Sequence, residues 1–195
     1  MTKNGIIQFI KVLYSYFFNG LILFRFKKVG KNVFVRRHLM VNEPKSITIG
    51  NNARLGRFCR LECYKDENGR MGQISLGNDT SMGNYCTILS GADVNIGNFS
   101  RFASFVTIMS ESHGINPEMG IYHKQELVCK EVSIGEYCWV GEKVIIMPGV
   151  TIGDWSIIGA GALVTRDIPP YSIAVGNPAK VIKRYNFKTH SWEKV

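Results

Sequence analysis

The chain has 195 residues, enough for one domain with short ends, and 45% of them are hydrophobic, ample for a core. Lys and Arg outnumber Asp and Glu by 24 to 15, a formal net charge of +9; such a surplus favours anionic partners, among them nucleic acid, acidic lipid and phosphorylated cofactors, without choosing among them. The five cysteines are odd in number and show no CxxC pair, which argues against a disulfide framework and a paired-cysteine metal site and for a reducing compartment.

The N-terminal stretch from Ile6 to Phe26 reads IIQFIKVLYSYFFNGLILFRF, strongly apolar and aromatic but interrupted by Lys11 and Asn19 and followed by basic residues. It lacks the apolar run of about twenty residues that a membrane span needs and the small residues of a signal cleavage site. Residues 1–28 are therefore expected to form an apolar, helical segment, with two placements open. In one, the aromatics enter a membrane interface while Lys11, Arg25, Lys27 and Lys28 meet acidic headgroups. In the other, the segment packs on the body of the protein or on a neighbouring subunit.

Residues 29–169 are organised by a six-residue phrase. It begins as IGNNAR, LGRFCR from Ile49, breaks at ECYKDENGRMG, and resumes as LGNDTS, MGNYCT, ILSGAD, then IGNFSR and FASFVT. A slip near Val94 to Ile96 reads as a two-residue corner insertion, after which Ile96, Phe102 and Ile108 carry the series on. From Ile134 to Pro169 the phrase runs unbroken: IGEYCW, VGEKVI, IMPGVT, IGDWSI, IGAGAL, VTRDIP. A branched apolar residue opens each phrase, Gly follows in four of the six, and the fifth place is small or β-branched. That pattern predicts an all-β solenoid, a parallel β-helix in which three phrases make one triangular turn and successive turns bury one another's inner faces. Ile134, Val140, Ile146, Ile152, Ile158 and Val164 should point inward. Cys59, Cys86 and Cys138 occupy fifth places and read as small core residues, whereas Trp139, at a sixth place, should point outward, where a large indole needs a cover.

The period is abandoned over residues 110–131, SESHGINPEMGIYHKQELVCKE. With Gly114, Pro117 and Gly120, no sustained period and two of the four histidines, His113 and His123, this segment reads as a loop extruded from a rigid scaffold, a favoured place for catalysis. Cys129 is the one cysteine expected at the surface, with nothing visible to activate it. Residues 170–195 form a short C-terminal extension.

The run IGEYCWVGEKVIIMPGVTIGDWSIIGAGALVTRDIPPYSIAVGNPAKVIKR, with its unbroken hexamers, its GNPAKVIK phrase and a loop histidine one turn earlier, resembles the hexapeptide-repeat acyltransferases. The likeness is greatest to sugar and polysaccharide O-acetyltransferases related to the galactoside and maltose enzymes, and extends over about Ile47 to Arg184. It implies a left-handed parallel β-helix, a homotrimer and acetyl-coenzyme A as co-substrate. Handedness comes from the resemblance alone, since crossovers between parallel strands are usually right-handed.

The same resemblance assigns roles residue by residue. His113 falls where the family places its catalytic base: neutral imidazole near pH 7 removes the proton of a sugar hydroxyl and later returns one to the leaving thiolate. Glu111, Glu131 or a backbone carbonyl would orient the ring. Trp139, Gly141, Ala160, Thr165, Arg166, Lys180 and Lys183 match positions along the coenzyme A site, the cations suiting its phosphates. Gly141 and Ala160 are also explained by the repeat, and Lys180 and Lys183 by a solvated basic face. On the acceptor side the family's asparagine aligns with Gly83, so Asn84 beside it is the candidate, equally readable as a turn asparagine at a corner. That departure, with the apolar N-terminus, shifts the expected acceptor from a free galactoside or maltose to a lipid-linked glycan of surface-polysaccharide or lipopolysaccharide biosynthesis.

These readings make the chain a cytoplasmic enzyme, with peripheral contact at the inner membrane face through residues 6–28 as an option and no nucleic-acid partner. Two rivals share the donor chemistry, N-acetylation of an amino-sugar nucleotide and acetylation of serine. A zinc enzyme of the γ-carbonic-anhydrase type needs three imidazoles on adjoining turns. The midsection supplies only His113 and His123, with His38 and His190 near the ends, so no metal is expected. A pure binding solenoid would need neither base nor cofactor groove.

Overall fold

The computed structural model describes residues 5–7, 9, 10, 13, 14, 17 and 20–195. Three sheets take their strands in rotation along the chain. The first holds Lys28–Val29, Ile47–Ile49, Ile74–Leu76, Val94–Ile96, Val132–Ile134 and Thr151–Ile152. The second holds Phe34–Val35, Arg54–Leu55, Ser81–Met82, Arg101–Phe102, Trp139–Val140, Ile157–Ile158 and Ser172–Val175, and the third Met40–Val41, Arg60–Cys63, Thr87–Ser90, Thr107–Met109, Ile145–Ile146 and Leu163–Val164. Every pairing among these strands is parallel and joins one turn of chain to the next. The parallel pairing runs past residue 169, because Ile157 and Ile158 pair with Ile173 and Ala174. Two antiparallel strands, Lys180–Asn186 and Ser191–Lys194, then extend the second sheet.

The inward series is buried throughout, from Leu55, Leu61 and Leu76 to Ile134, Val140, Ile146, Ile152, Ile158 and Val164, and so are the fifth-place residues Cys59, Cys86, Cys138, Val144, Ser156 and Ala162. Each buried Ile or Val adds about 1.5–3 kcal/mol of hydrophobic stabilisation. Four of the six first-sheet strands bury both ends of a three-residue run, such as Val94 and Ile96, and this double anchoring makes room for the slip read in the sequence. Glycine at the second place answers to the stacking: a Cβ on Gly97 would sit 2.6 Å from the carbonyl carbon of Gly135 in the next turn. No side chain fits there without separating the turns.

At these corners one backbone N–H is satisfied by a side chain of the following turn and the next N–H by a carbonyl of the preceding turn, as Asn52 N–H is by Lys31 O. The N–H of Lys31 donates to Asn51 Oδ1, that of Asn51 to Asn78 Oδ1 and that of Asn78 to Asn98 Oδ1, each at 2.8 Å. Glu136 N–H donates in the same sense to Asp154. The residues that follow adopt positive φ, and several are aromatic: Phe58, Tyr85, Phe99, Phe105, Tyr137 and Trp155. Their rings stack turn on turn, His38–Phe58–Tyr85–Phe105 at 4.6, 5.0 and 4.9 Å and Phe99–Tyr137–Trp155 at 4.8 and 4.3 Å. Stacking offsets the cost of the left-handed conformation, about 1–2 kcal/mol per residue, with about 0.5–1.5 kcal/mol per aromatic pair beyond burial.

The described residues between Gly5 and Phe17 are helical, and a 3₁₀ turn follows at Gly20–Arg25. Leu23 and Phe26 are buried against the first turns, whereas Ile6, Phe9, Leu13 and Phe17 are exposed. Lys11 and Asn19, the polar interruptions noted in the sequence, lie outside the described residues. Among the described residues no helix is long and apolar enough to cross a membrane. The sequence interruption after Glu62 is a small hairpin, with Lys65 paired to Met71 and Asp66 Oδ1 accepting from the N–H groups of Asn68 and Arg70.

Candidate active site

The excursion between the fourth and fifth turns has more order than its sequence suggests. Glu111–His113 pairs antiparallel with Leu127–Cys129, His113 opposite Leu127, so the expected loop rises on a two-stranded stem. Its base is fixed by the buried Ser110, whose hydroxyl donates to Ala92 O at 2.6 Å and whose carbonyl accepts from Lys130 N–H at 2.8 Å. Its tip is closed by Gln125. The Gln125 Nε2 group donates to Asn116 O at 2.8 Å and Gly120 O at 3.2 Å, and Oε1 accepts from Asn116 N–H at 3.1 Å.

His113 stands at the end of this stem with an exposed side chain that makes no hydrogen bond among the described residues. Alternation along the strand puts Glu111 on its side of the stem, although the Glu111 carboxylate does not bond the ring. Glu131 is engaged elsewhere, accepting from Asn95 Nδ2 at 2.8 Å and Ser133 Oγ at 3.3 Å. His123 lies in the exposed turn Tyr122–Lys124. Cys129 is half-buried, and burial together with the carboxylates of Glu67, Asp66 and Glu111 pushes its thiol up to about 11. At neutral pH it is therefore a thiol, not a nucleophilic thiolate.

The other candidate residues fall into two groups. Trp139, Ile157, Ile173 and Lys183 are register partners on consecutive strands, forming one outward row across the second sheet. With strands about 4.8 Å apart, this row spans roughly 14 Å. Trp139 is 60% exposed, as a sixth-place residue should be. A register shift opposite Ile173 and Ala174 brings Lys180 and Lys183 to the same face, opposite Val175 and Ile173, where a regular strand would turn residues three apart to opposite faces. Gly141 and Ala160 lie at the corner after this sheet, and a Cβ on Gly141 would meet Ala160 N at 2.6 Å. Asn84 occupies the same corner in an earlier turn. Its Oδ1 accepts from Arg57 N–H at 2.9 Å, so it does the work of a corner asparagine, and its amide nitrogen makes no hydrogen bond among the described residues.

Thr165 and Arg166 follow the last strand of the third sheet, exposed on the corner from which the excursion springs two turns earlier. The third sheet thus separates His113, Thr165 and Arg166 from Asn84, Trp139, Gly141, Ala160, Lys180 and Lys183. One chain does not bring the base to the face that carries the indole and the lysines. Residues that sequence reasoning passed over include Gln125 and Ser110, which hold the excursion, and Arg54 and Arg101, which continue the Trp139 row. Among the described residues no three His, Cys, Asp or Glu side chains group as metal ligands.

Repeated turns with hexamer spacing and a histidine-bearing excursion define a hexapeptide-repeat transferase. The family model for bacterial transferase hexapeptide (six repeats) matches residues 131–166. The chain is 33% identical over 172 residues to an Escherichia coli (strain K12) protein provisionally named a lipopolysaccharide biosynthesis O-acetyl transferase, WbbJ, covering 82% of this chain and 83% of that one. It is also 33% identical over 167 residues to the galactoside O-acetyltransferase of Escherichia coli (strain K12), covering 86% and 68% of the two chains. A solved variant of AntD, an N-acyltransferase from Bacillus cereus in complex with dTDP and coenzyme A, shares the fold with TM-score 0.72 at 24% identity, covering 85% of this chain and 88% of that one. The chain belongs to the family of hexapeptide-repeat acetyltransferases, in line with the resemblance carried by its sequence.

Proposed function

We propose that this acetyltransferase moves the acetyl group of acetyl-coenzyme A to a hydroxyl of a sugar in a surface-polysaccharide or lipopolysaccharide precursor, with His113 as general base. The similarity to two O-acetyltransferases of sugar substrates supports oxygen rather than nitrogen as the acceptor atom. The observation that carries the reading is the exposed imidazole of His113, held on a stem whose base and tip are both hydrogen-bonded. In the reaction the imidazole takes the hydroxyl proton as the oxygen bonds to the thioester carbonyl carbon. The tetrahedral intermediate then expels the thiolate, which receives that proton from the imidazolium. No acyl-enzyme forms.

Trp139 and the row leading to Lys183 would line the pantetheine arm, with Lys180, Lys183 and Arg166 toward the phosphates and Gly141, Ala160 and Thr165 along the groove. Asn84 would face the acceptor with its amide nitrogen. The split of these residues across the third sheet supports a homotrimer in which His113 of one copy faces the Trp139 side of its neighbour. In this reading the turns wind left-handed, residues 29–169 form the β-helix between segments 1–28 and 170–195, and the enzyme works in the cytoplasm, at the inner membrane face where its acceptor is lipid-linked.

Thiol release from acetyl-coenzyme A, measured against a panel of nucleotide sugars and lipid-linked oligosaccharides, tests this. His113→Ala should lower acetyl transfer by about a hundredfold or more while leaving the circular dichroism spectrum unchanged. Wild-type turnover by that variant would overturn the assignment.

A further inference from the structure

Beside the N-terminal helical segment lies a cavity of about 620 Å³ that the residues assigned above touch only through Asn84. Arg36, Arg54 and Arg57 line it together with Ile10, Tyr14 and Phe34. The two ion pairs among the described residues are Arg60–Glu62 and Arg70–Asp93, so none of these three guanidinium groups is neutralised by a carboxylate there. None of the described residues lining the cavity is acidic. Exposed cations kept together without a counter-ion repel one another, a cost that an anionic ligand removes. Each guanidinium also presents a planar fork of donors suited to phosphate oxygens.

Ile10, Tyr14 and Phe34 give the cavity an apolar side. Tyr14 is set there beneath Arg37, whose guanidinium carbon lies 5.4 Å from the ring centroid. Ile10 joins it, and the exposed Phe9, Leu13 and Phe17 continue an apolar surface outward from the cavity. Three cations beside a hydrocarbon wall match a diphosphate ester whose next group is greasy. Asn84, proposed above for the acceptor, lines the same cavity. Arg54, Ser81, Arg101 and Trp139 are register partners in one outward row, so Arg54 joins the cavity to the face that carries the indole proposed for the donor.

We infer that this cavity binds the diphosphate of the glycosyl acceptor, in its isoprenoid-linked form. A nucleoside diphosphate sugar offers the same anion without the hydrocarbon. The inference rests on the acetyl-transfer reading only in calling the ligand an acceptor. Calorimetric titration of the full chain with farnesyl diphosphate, inorganic pyrophosphate and uridine diphosphate tests it, with coenzyme A titrated in parallel. Farnesyl diphosphate should bind most tightly, and Arg54→Gln/Arg57→Gln should weaken it by about tenfold or more with coenzyme A affinity unchanged. Arg36→Gln, a single change at another exposed side chain, should weaken it in the same direction and guards against misfolding of the double variant. Uridine diphosphate binding more tightly than farnesyl diphosphate would overturn the lipid assignment. Equal affinities in wild type and both variants, or no binding by any probe, would overturn the site. Failure of coenzyme A to bind while farnesyl diphosphate still does would remove the acetyl-transfer reading and leave the diphosphate site standing.

Discussion

Histidine and cysteine in the same excursion have opposite prospects. His113 ends its strand with an exposed ring, while Cys129 across the stem is half-buried, and burial together with Glu67, Asp66 and Glu111 pushes its thiol up to about 11. The sign is that of an anion disfavoured by burial and by like charge. Alkylation of the native protein by iodoacetamide should therefore be slow at pH 8 and rise about tenfold per pH unit toward pH 11, since the thiolate is the reacting species. A rate that levels off near pH 9, as for an ordinary thiol, would show that neither burial nor the carboxylates raise it. Asn84 shows a residue with two readings of which one is visible: its oxygen belongs to the corner, through Arg57 N–H. Sequence could name both uses but could not say which atom serves which.

The elements differ in how plainly the sequence announces them. From Ile134 to Val164 every first and fifth place was legible, because a six-residue period with a buried first place leaves its mark in composition. The first turn, Lys28 to Val41, is fainter in sequence, since its phrases VGKNVF and VRRHLM carry the period with only one glycine. The stem of the excursion reads as irregular loop in sequence, since strands of three residues, ESH and LVC, are too short to display alternation. The shift that turns Lys180 and Lys183 to one face is likewise a matter of register, which residue type does not encode. Sixth places offered a signal left unused: once Trp139 was known to point outward, Arg54 and Arg101 at equivalent places should too. Gln125 bears most directly on the site. Its side chain is 9% exposed and serves both the N–H and the carbonyl of Asn116. Gln125→Ala should destabilise the tip of the excursion by about 1–3 kcal/mol, read as faster hydrogen exchange at Asn116 and earlier proteolysis between residues 114 and 126, with the turns unaffected. Unchanged exchange at Asn116 would mean that the amide is dispensable.

At the scale of the whole molecule, the third sheet stands between the proposed base and the proposed donor groove, and the proposed assembly removes that separation. Sedimentation equilibrium should give a species three times the chain mass. Mixing His113→Ala with Trp139→Ala subunits should restore part of the activity that each lacks alone, because mixed trimers pair an intact base with an intact groove. A monomer in solution, or no recovery on mixing, would contradict a shared site. The corner ladder carries a different consequence. Asn51, Asn78, Asn98 and Asp154 each accept an N–H from the turn before, while the N–H of the next residue donates back to a carbonyl of that turn, as Asn52 does to Lys31 O and Asp79 to Asn51 O, so each corner is tied in both directions along the axis. Cutting the chain from its end strips side-chain acceptors from amides that stay behind, and cutting from its beginning strips carbonyl acceptors such as Lys31 O from Asn52 N–H. A ribosome delivers partners about twenty residues apart, so both bonds of a corner close together once the second turn has emerged, and removing a turn from either end exposes amides on its neighbour.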